Sequence, residues 1–238
     1  MSTAAPYDSK SLKALNIWWL GLLILLDILI LLIFVFPEVL ATASFSQVTA
    51  GRSALMTMLP IIVLLLSSVI SQKHKAVLVY WKTENPLPGS EAFTKYGPAD
   101  PRVDMDKLKK HVGQWPTDAQ GQNTFWYGLY KLVDSAPAVV EAHKQSLRFR
   151  DMAAMSIILS VVVPICFAFM HLEAWQFIGG LALFAVQYLI CSHTGRHFGI
   201  QFVSTVLAEH SFRKVAVPAA APRTARKTAA KKPKAGAA

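Results

Sequence analysis

The chain has 238 residues, of which 53% are hydrophobic, and its 24 Lys and Arg outnumber its 14 Asp and Glu. Four long apolar runs account for most of that hydrophobicity and exclude a water-soluble globular domain. The formal net charge of +10 comes from the polar segments between and beyond the runs. We therefore expect an all-α integral membrane protein.

The four runs predict four transmembrane helices, arranged as two hairpins around a polar middle. Because a helix rises 1.5 Å per residue, each run is long enough, or nearly so, to cross about 30 Å of hydrocarbon. The expected helices are residues 15–36 and 54–70 in the first hairpin (15–70), and 152–170 and 175–191 in the second (152–192). The other segments are an N-terminus (1–14), a small helical domain (71–151), a helical extension (193–216) and a disordered basic tail (217–238).

The distribution of Lys and Arg predicts the orientation of these helices. Of the 24 Lys and Arg residues, two precede the first run, 12 lie in residues 71–151 and nine follow residue 192. The short connections between helices are residues 37–52 and 171–174, and they contain only the remaining one, Arg52. Cytoplasmic segments are enriched in Lys and Arg. We expect a multi-pass protein of the bacterial inner membrane, with both termini and the helical domain in the cytoplasm.

The N-terminal run also has the outline of a cleavable signal. Lys10 and Lys13 precede it, and the small residues Ala41-Thr42-Ala43 follow it. Signal cores span about 7 to 15 residues, and this run spans 22 residues, so an uncleaved helix is favoured. Cleavage before Ser44 would leave three crossings.

Asp27 is the most informative residue within the predicted membrane helices. It is the thirteenth of the 22 residues of the first run, near the bilayer centre, where a charged residue costs about 2.5 to 3.5 kcal/mol. No basic residue lies centrally in any run, so we expect a neutral carboxylic acid. Three roles remain open: a bond to another helix, a titrating site in an ion path, or a contact that specifies assembly. The candidate partners are Gln187, Ser67, Ser68, Ser156 and Ser160.

Two prolines lie inside predicted membrane helices, Pro60 in the second and Pro164 in the third. Each removes one backbone hydrogen bond and predicts a kink, either a fixed bend or a hinge. After the second run there is no Gly or Pro until Asn85-Pro86. We therefore expect the second helix to continue into the cytoplasm to about Trp81.

The polar middle contains signals for three helices after a Pro- and Gly-rich loop. Asp104 and Gly113 predict the start and end of a short helix. Thr117 or Asp118 is expected to cap the next helix, and Ser135 with Pro137 predicts a third that continues into the membrane.

Aromatic and apolar residues recur at three- and four-residue spacing from Phe125 to Val133. This stripe is expected to pack on the helix after Asp104 and on the extended membrane helices. The alternative is a face that binds a partner protein or a base-stacking ligand, with nearby cations contributing. The candidate residues for that face are Phe125, Trp126, Tyr130, Lys131, Arg148 and Arg150.

The fourth apolar run is expected to continue as a helix through Gly195 and Gly199 to about Lys214. Cys191, Gly195 and Gly199 are four residues apart and predict a stripe of small side chains where another helix packs closely. His193 and His197 form a second pair four residues apart, but they lack a third ligand nearby and remain weak metal candidates. Phosphate loops, nucleophile elbows, zinc-protease motifs and CxxC pairs are missing from the sequence, so neither catalysis nor a cofactor is expected.

The tail beyond residue 216 is built mainly from Ala, Pro, Lys, Arg and Thr, without acidic or aromatic residues. It resembles the basic Ala-Lys-Pro tails of linker-histone-like proteins, over some 20 low-complexity residues. Its composition favours contact with anionic lipid head groups, and nucleic acid is the alternative partner.

The plan of two hairpins around a helical insert resembles small bacterial membrane proteins, among them sensors and effectors of anti-phage systems. The resemblance is architectural and implies an oligomeric sensor or effector that couples a ligand or partner to its membrane helices, with pore formation or membrane disruption as one output. One alternative is a passive anchor that recruits a cytosolic protein or nucleic-acid complex. Another is a proton- or ion-coupled channel or transporter that uses Asp27.

Overall fold

The computed structural model describes residues 9–35 and 47–212, and the regular elements in this part of the chain are all helical. Seven α-helices are labelled here in chain order: α1 Ser9–Val35, α2 Gln47–Val69, α3 Gln72–Tyr80, α4 Met105–Val112, α5 Ala119–Val133, α6 Pro137–Phe169 and α7 Ala174–Phe212. Between α3 and α4 lie three short helical turns, Pro88–Glu91, Ala92–Tyr96 and Gly97–Ala99. The expected all-α class is confirmed.

Three of these helices are long and apolar enough to cross a membrane: α1, over Asn16–Ile33, and α6 and α7. Thr57–Val69 of α2 and Gln72–Tyr80, which is α3, pass the same test of length and composition together, as a pair bent by 108°. By length and composition, the described part of the chain therefore has three candidate spans, or four with the bent pair. The sequence prediction of membrane-spanning helices is confirmed at that level.

The expected continuation of the second helix to Trp81 is wrong. The helix ends at Val69, and α3 begins at Gln72 after the 108° bend. Ser71 has an extended backbone, and its hydroxyl accepts a hydrogen bond from the His74 amide at 3.3 Å. A serine side chain that caps a new helix competes with continuation of the old one, which explains a break without Gly or Pro.

The connection predicted at residues 37–52 is also shorter than expected, because α2 already begins at Gln47. Residues 36–46, which include the expected cleavage site at Ala41–Ala43, lie outside the described residues, as do the basic tail and Lys214. Pro60 and Pro164 are buried in α2 and α6, and both helices are continuous through them.

The membrane bundle is organised around the antiparallel pair α6 and α7, with α1 and α2 packed against α6. Its core is made of Leu31, Leu59, Val63, Met155, Leu159, Val163, Phe167 and Phe184. Gly180 of α7 lies so close to Phe167 of α6 that a β-carbon there would be 2.8 Å from the ring. Close packing of this kind stabilises helix pairs in lipid, where the hydrophobic effect does not drive helices together.

The second core lies beyond the bundle, where α4 and α5 pack against the first half of α6 and the second half of α7. Its buried members include Phe93, Leu108, Trp126, Leu129, Tyr130, Val133, Val139, Phe202, Val206 and Leu207. The helical domain therefore contains the extension of α7 as well as residues from the 71–151 segment. The predicted caps are present: Asp104 accepts from the Lys107 amide at 2.9 Å and Asp118 from the Gly121 amide at 2.7 Å.

Candidate functional site

A partly enclosed cavity of about 180 Å³ lies inside the helical domain, next to the bundle. Helices α3, α5, α6 and α7 and the loop before Ser90 form its walls. The residues that line it are Ala76, Tyr80, Leu87, Pro88, Gly89, Asn123, Trp126, Tyr127, Tyr130, His143, Ser146, Leu147, Arg150 and Phe202. These residues come from five separate parts of the chain, so the tertiary fold creates the cavity.

Aromatic side chains form one side of the cavity. The rings of Trp126 and Tyr130 are nearly parallel with centroids 6.0 Å apart, and Tyr130 meets His143 edge-on at 5.4 Å. His143 in turn stacks on Phe202 at 4.5 Å, with 6° between the ring planes. Hydrogen bonds hold two of these rings: Trp126 Nε1 donates to the Val203 carbonyl at 3.4 Å, and the Tyr130 hydroxyl lies 3.2 Å from His143 Nδ1. The wall is therefore rigid and apolar with a few polar edges.

Arg150 is the cation that lines the cavity, and its side chain is only 14% exposed. Its Nε and Nη2 are buried and have no hydrogen-bond partner among the described residues. The nearest carboxylate oxygen, Asp151 Oδ1, is 3.8 Å from Arg150 Nη2 and only 2.8 Å from Lys75 Nζ. Two buried cations thus share one carboxylate. A buried guanidinium with unfilled donors is costly to the folded state.

The loop before Ser90 closes the cavity on one side. Gly89 lies against Trp126, and a β-carbon at this position would be 2.9 Å from Trp126 Cε3. The loop is fastened by Lys82, whose Nζ donates to Glu91 Oε1 at 2.6 Å. This hydrogen bond from Lys82 lowers the pKa of Glu91. The wall near Trp126 therefore depends on a glycine and on an ion pair.

Helix α3 connects the cavity to the bundle, because α7 binds its C-terminal carbonyls. The Tyr188 hydroxyl donates to the Leu78 carbonyl at 2.8 Å, and the Ser192 hydroxyl donates to the Val79 carbonyl at 3.1 Å. Arg196 Nη2 also donates to the Val79 carbonyl, at 3.2 Å. A cation at a helix C-terminus is favourable for the helix dipole. These bonds hold α3 in the orientation in which Ala76 and Tyr80 reach the cavity.

The small residues Cys191, Gly195 and Gly199 lie where α7 faces α3 and α6. Gly199 is in contact with the Tyr80 hydroxyl, which occupies the space of a side chain at this position. A β-carbon on Gly195 would be 3.4 Å from Val79 Cγ1. Cys191 is buried beside Val79 in a small cluster between the two cores. The small side chains therefore allow α3 to lie directly on α7.

Helix α1 is also tied to the helical domain. Asn16 Nδ2 donates to the Lys144 carbonyl at 2.8 Å, and Asn16 Oδ1 accepts from Arg148 Nε at 3.3 Å. The Arg148 guanidinium lies 4.5 Å from the ring centroid of Trp19. Arg148 thus binds α1 and does not line the cavity.

Inside the bundle, Asp27 is fully buried and accepts a hydrogen bond from Gln187 Nε2 at 3.0 Å on its Oδ1. Its Oδ2 has no hydrogen-bond partner among the described residues. The candidate serines bond to carbonyls of their own helices instead, Ser67 to Leu64, Ser68 to Leu65, Ser156 to Met152 and Ser160 to Ile157. Of the five candidate partners, Gln187 is the one that bonds to Asp27, and it joins α1 to α7.

The six residues expected to form a partner or ligand face do not form one surface. Trp126 and Tyr130 are buried, and Phe125 packs on Phe93 at 5.6 Å. Lys131 lies over the Tyr130 ring at 5.3 Å on the outside. Trp126, Tyr130 and Arg150 instead line the cavity from within, because the stripe also forms part of the domain core.

Sequence reasoning missed Tyr80, His143, Ser146 and Phe202 as cavity residues. No local motif connects them, and they meet only because α3 turns back at Ser71 and α7 continues past the bundle. His193 and His197 are exposed on α7. Within residues 9–35 and 47–212, no group of three or more His, Cys, Asp or Glu is arranged to hold a metal ion.

The geometry of the cavity is the basis for a functional conclusion. The chain matches no known protein family, no curated protein and no solved structure. Function is therefore inferred from the arrangement of the side chains and from their chemistry.

Proposed function

We propose that the protein is a membrane receptor whose helical domain binds a small ligand and transmits its presence to the membrane-spanning helices. The observation that carries this proposal is the continuity of α6 and α7. The same two helices form walls of the cavity and the centre of the bundle. No catalytic step is proposed.

Helix α6 is the most direct connection between the two parts. Its 33 residues correspond to about 50 Å at 1.5 Å per residue. His143 and Arg150 line the cavity, whereas Met155 and Val163, further along the same helix, lie in the bundle core. A ligand that shifts α6 in the domain must therefore also shift its packing in the bundle, because a continuous helix moves as a unit.

Helix α3 offers a second connection. Ala76 and Tyr80 line the cavity, and Lys75 is bound to Asp151 of α6. Only Ile70 and Ser71 separate α3 from α2, at the 108° bend. Movement of α3 by a ligand would change the direction in which α2 enters the bundle.

For the membrane arrangement we propose four crossings, with the helical domain, the N-terminus and the basic tail on the cytoplasmic side of a bacterial inner membrane. The supporting observation is the segregation of Lys and Arg, with 23 of 24 outside the short connections. In this arrangement α2 crosses without α3, since its 23 residues correspond to about 35 Å at 1.5 Å per residue. Helix α3 then lies along the inner membrane surface, and the tail binds anionic head groups. We also propose a homo-oligomer, since four helices with one buried acid do not enclose a wide pore alone.

The proposed output is a change in membrane permeability, as in an effector. The test is to induce the chain in bacterial cells, with and without its genomic neighbours, and to follow membrane potential with a voltage-sensitive dye. The variant Lys75→Met, which breaks the connection between α3 and α6, should change the depolarisation. Lys109→Met is its matched control, because Lys109 is exposed on α4 and does not line the cavity. A chain that never depolarises the membrane, in any of these backgrounds, contradicts the effector and favours the passive anchor.

A second candidate function is an ion-coupled channel or transporter, which the Asp27–Gln187 pair favours. Asp27 is fully buried with one carboxylate oxygen unbonded among the described residues, so it could exchange a proton within the bundle. Proton flux in reconstituted vesicles that disappears in Asp27→Asn would favour this candidate. The third candidate, a passive anchor, is no longer supported by an exposed aromatic face, because Trp126 and Tyr130 are buried. The basic tail still supports it as a site that binds a partner.

A further inference from the structure

We propose that the ligand of the cavity is a small single-ring aromatic carboxylate, with its carboxylate paired to Arg150 and its ring against the aromatic wall. This inference rests on the proposed receptor function and names the chemical class of its ligand.

The size of the cavity limits the ligand to about one ring. The cavity has about 180 Å³ of space, and an apolar cavity of about 150 Å³ accepts benzene. A nucleotide or a lipid head group with its acyl chains does not fit this space without movement of the walls. A benzene ring with one small substituent does.

The charge of the site selects an anion. Lys75 and Arg150 together carry two positive charges beside the single carboxylate of Asp151, and Lys75 is the closer partner of Asp151. Neighbouring His143 has no acidic partner in the cavity lining, which contains no Asp or Glu. An anionic ligand would therefore balance the remaining charge of Arg150.

The free edge of Arg150 is suited to a carboxylate in particular. Its Nε and Nη2 are the two donors that bind both oxygens of a carboxylate side by side. The chain already shows this arrangement at Arg102, which donates from Nε at 3.0 Å and from Nη2 at 2.7 Å to the carboxylate of Asp100. In Arg150 the same two donors have no hydrogen-bond partner among the described residues, and Nη2 has only the 3.8 Å ion pair with Asp151 Oδ1. Rotation of this side chain within the cavity would turn that edge toward an occupant.

The rest of the lining fits an aromatic ring. Trp126, Tyr130 and Phe202 offer ring faces and edges, which attract another ring at centroid distances of about 4.5 to 7 Å. The ligand can enter between Leu87 and Tyr127, which are 44% and 52% exposed at the rim of the cavity. Lys131, above the Tyr127 ring at 5.7 Å, supplies a cation near this entrance that attracts anions.

The test uses the full chain purified in detergent and measures binding of benzoate by equilibrium dialysis and by thermal shift. Benzamide, which has the same shape without the charge, is the matched control ligand. Benzoate should bind at least about tenfold more tightly than benzamide. The variant Arg150→Gln should abolish the preference for benzoate over benzamide. The control variant Arg148→Gln should retain it, because Arg148 binds α1 outside the cavity.

A second variant separates loss of the site from loss of folding. Ser146→Leu fills the cavity from α6 without removing the guanidinium, so benzoate binding should disappear while the helical circular dichroism is unchanged. Three results would overturn the inference: equal binding of benzoate and benzamide, full benzoate binding by Arg150→Gln, or binding of inorganic phosphate in place of benzoate. No binding of benzoate, 4-hydroxybenzoate or nicotinate up to about 10 mM would also overturn it.

Failure of this inference can be distinguished from failure of the receptor function. If benzoate binds as stated but Lys75→Met leaves depolarisation unchanged, the ligand class stands and the coupling is wrong. If Lys75→Met changes depolarisation while no aromatic carboxylate binds, the coupling stands and the ligand class is wrong.

Discussion

The hydroxyl of Tyr80 in α3 occupies the space that a side chain on Gly199 of α7 would need. The phenol group of Tyr80 therefore lies directly against the backbone of Gly199. Both residues belong to the region that joins the cavity to the bundle, since Tyr80 lines the cavity and α7 continues into the membrane. The position of α3 is therefore set by the absence of one β-carbon.

Gly199→Ala should destabilise the protein by about 1 to 3 kcal/mol, because the new methyl group overpacks this contact and pushes Tyr80 out of place. The measurement is the free energy of unfolding in detergent. Gly128→Ala is the matched control: a β-carbon there has no atom within 4 Å, and replacing a glycine inside a helix stabilises by about 0.5 to 1 kcal/mol. Equal effects of the two variants would contradict the contact.

Lys75→Met should cost about 1.5 to 3 kcal/mol, because it removes the hydrogen bond to the buried Asp151 carboxylate and leaves Arg150 as a weaker partner. The side chains of Lys75 and Asp151 are 4% and 13% exposed. The comparison is Lys144→Met, which removes an exposed pair with Glu141 and should cost less than about 1 kcal/mol. A double-mutant cycle with Asp151→Asn measures the coupling, and a coupling energy near zero would mean that the pair does not fasten α3 to α6.

Asp27→Leu should weaken the bundle, because it leaves the Gln187 amide without its bond to α1. Asp27→Asn should keep that bond, since its side-chain oxygen can still accept from Gln187, and should unfold within about 1 kcal/mol of the unmodified protein. Ser68→Ala, which removes only a bond to the serine's own helix, is the control. The measurement is thermal unfolding in detergent. A large loss in Asp27→Asn would instead indicate that the carboxyl group itself is required.

The loop over the cavity should open in acid. The pKa of Glu91 lies below its ordinary value of 4.5, chiefly because Lys82 donates a hydrogen bond to the carboxylate. A lowered pKa means that the ion pair contributes its full stability above pH 4.5 and loses it as the pH falls through the pKa of the folded state. Hydrogen exchange of residues 82–91 should therefore increase, relative to intrinsic rates, below that pH.

In the variant Glu91→Gln, the backbone amides of residues 82–91 should exchange quickly already at neutral pH. Their exchange should change little further in acid. Glu84→Gln is the control, because Glu84 is exposed in the same loop and forms no ion pair with another described residue. Protection of residues 82–91 that is independent of pH in the unmodified protein would contradict the role of the Lys82–Glu91 pair.

The helical class, the apolar spans and several helix ends could be predicted from the sequence alone. These features are local: apolar runs must be helical in a membrane, and Asp104 and Asp118 cap helices through amides three residues away. The stripe from Phe125 to Val133 was likewise correctly expected to be part of a core, because its spacing follows the helix repeat.

The position of α3, the residues that line the cavity and the cation without a close partner depend on how the helices pack, and the sequence did not predict them. The bend at Ser71 depends on a competition between one serine cap and helix continuation, and composition does not predict its outcome. Arg148 and Arg150 look alike in sequence, yet one binds Asn16 and stacks on Trp19 while the other lines the cavity. Side chains two residues apart on a helix point in directions about 200° apart, so their surroundings depend on which helices pack on each side.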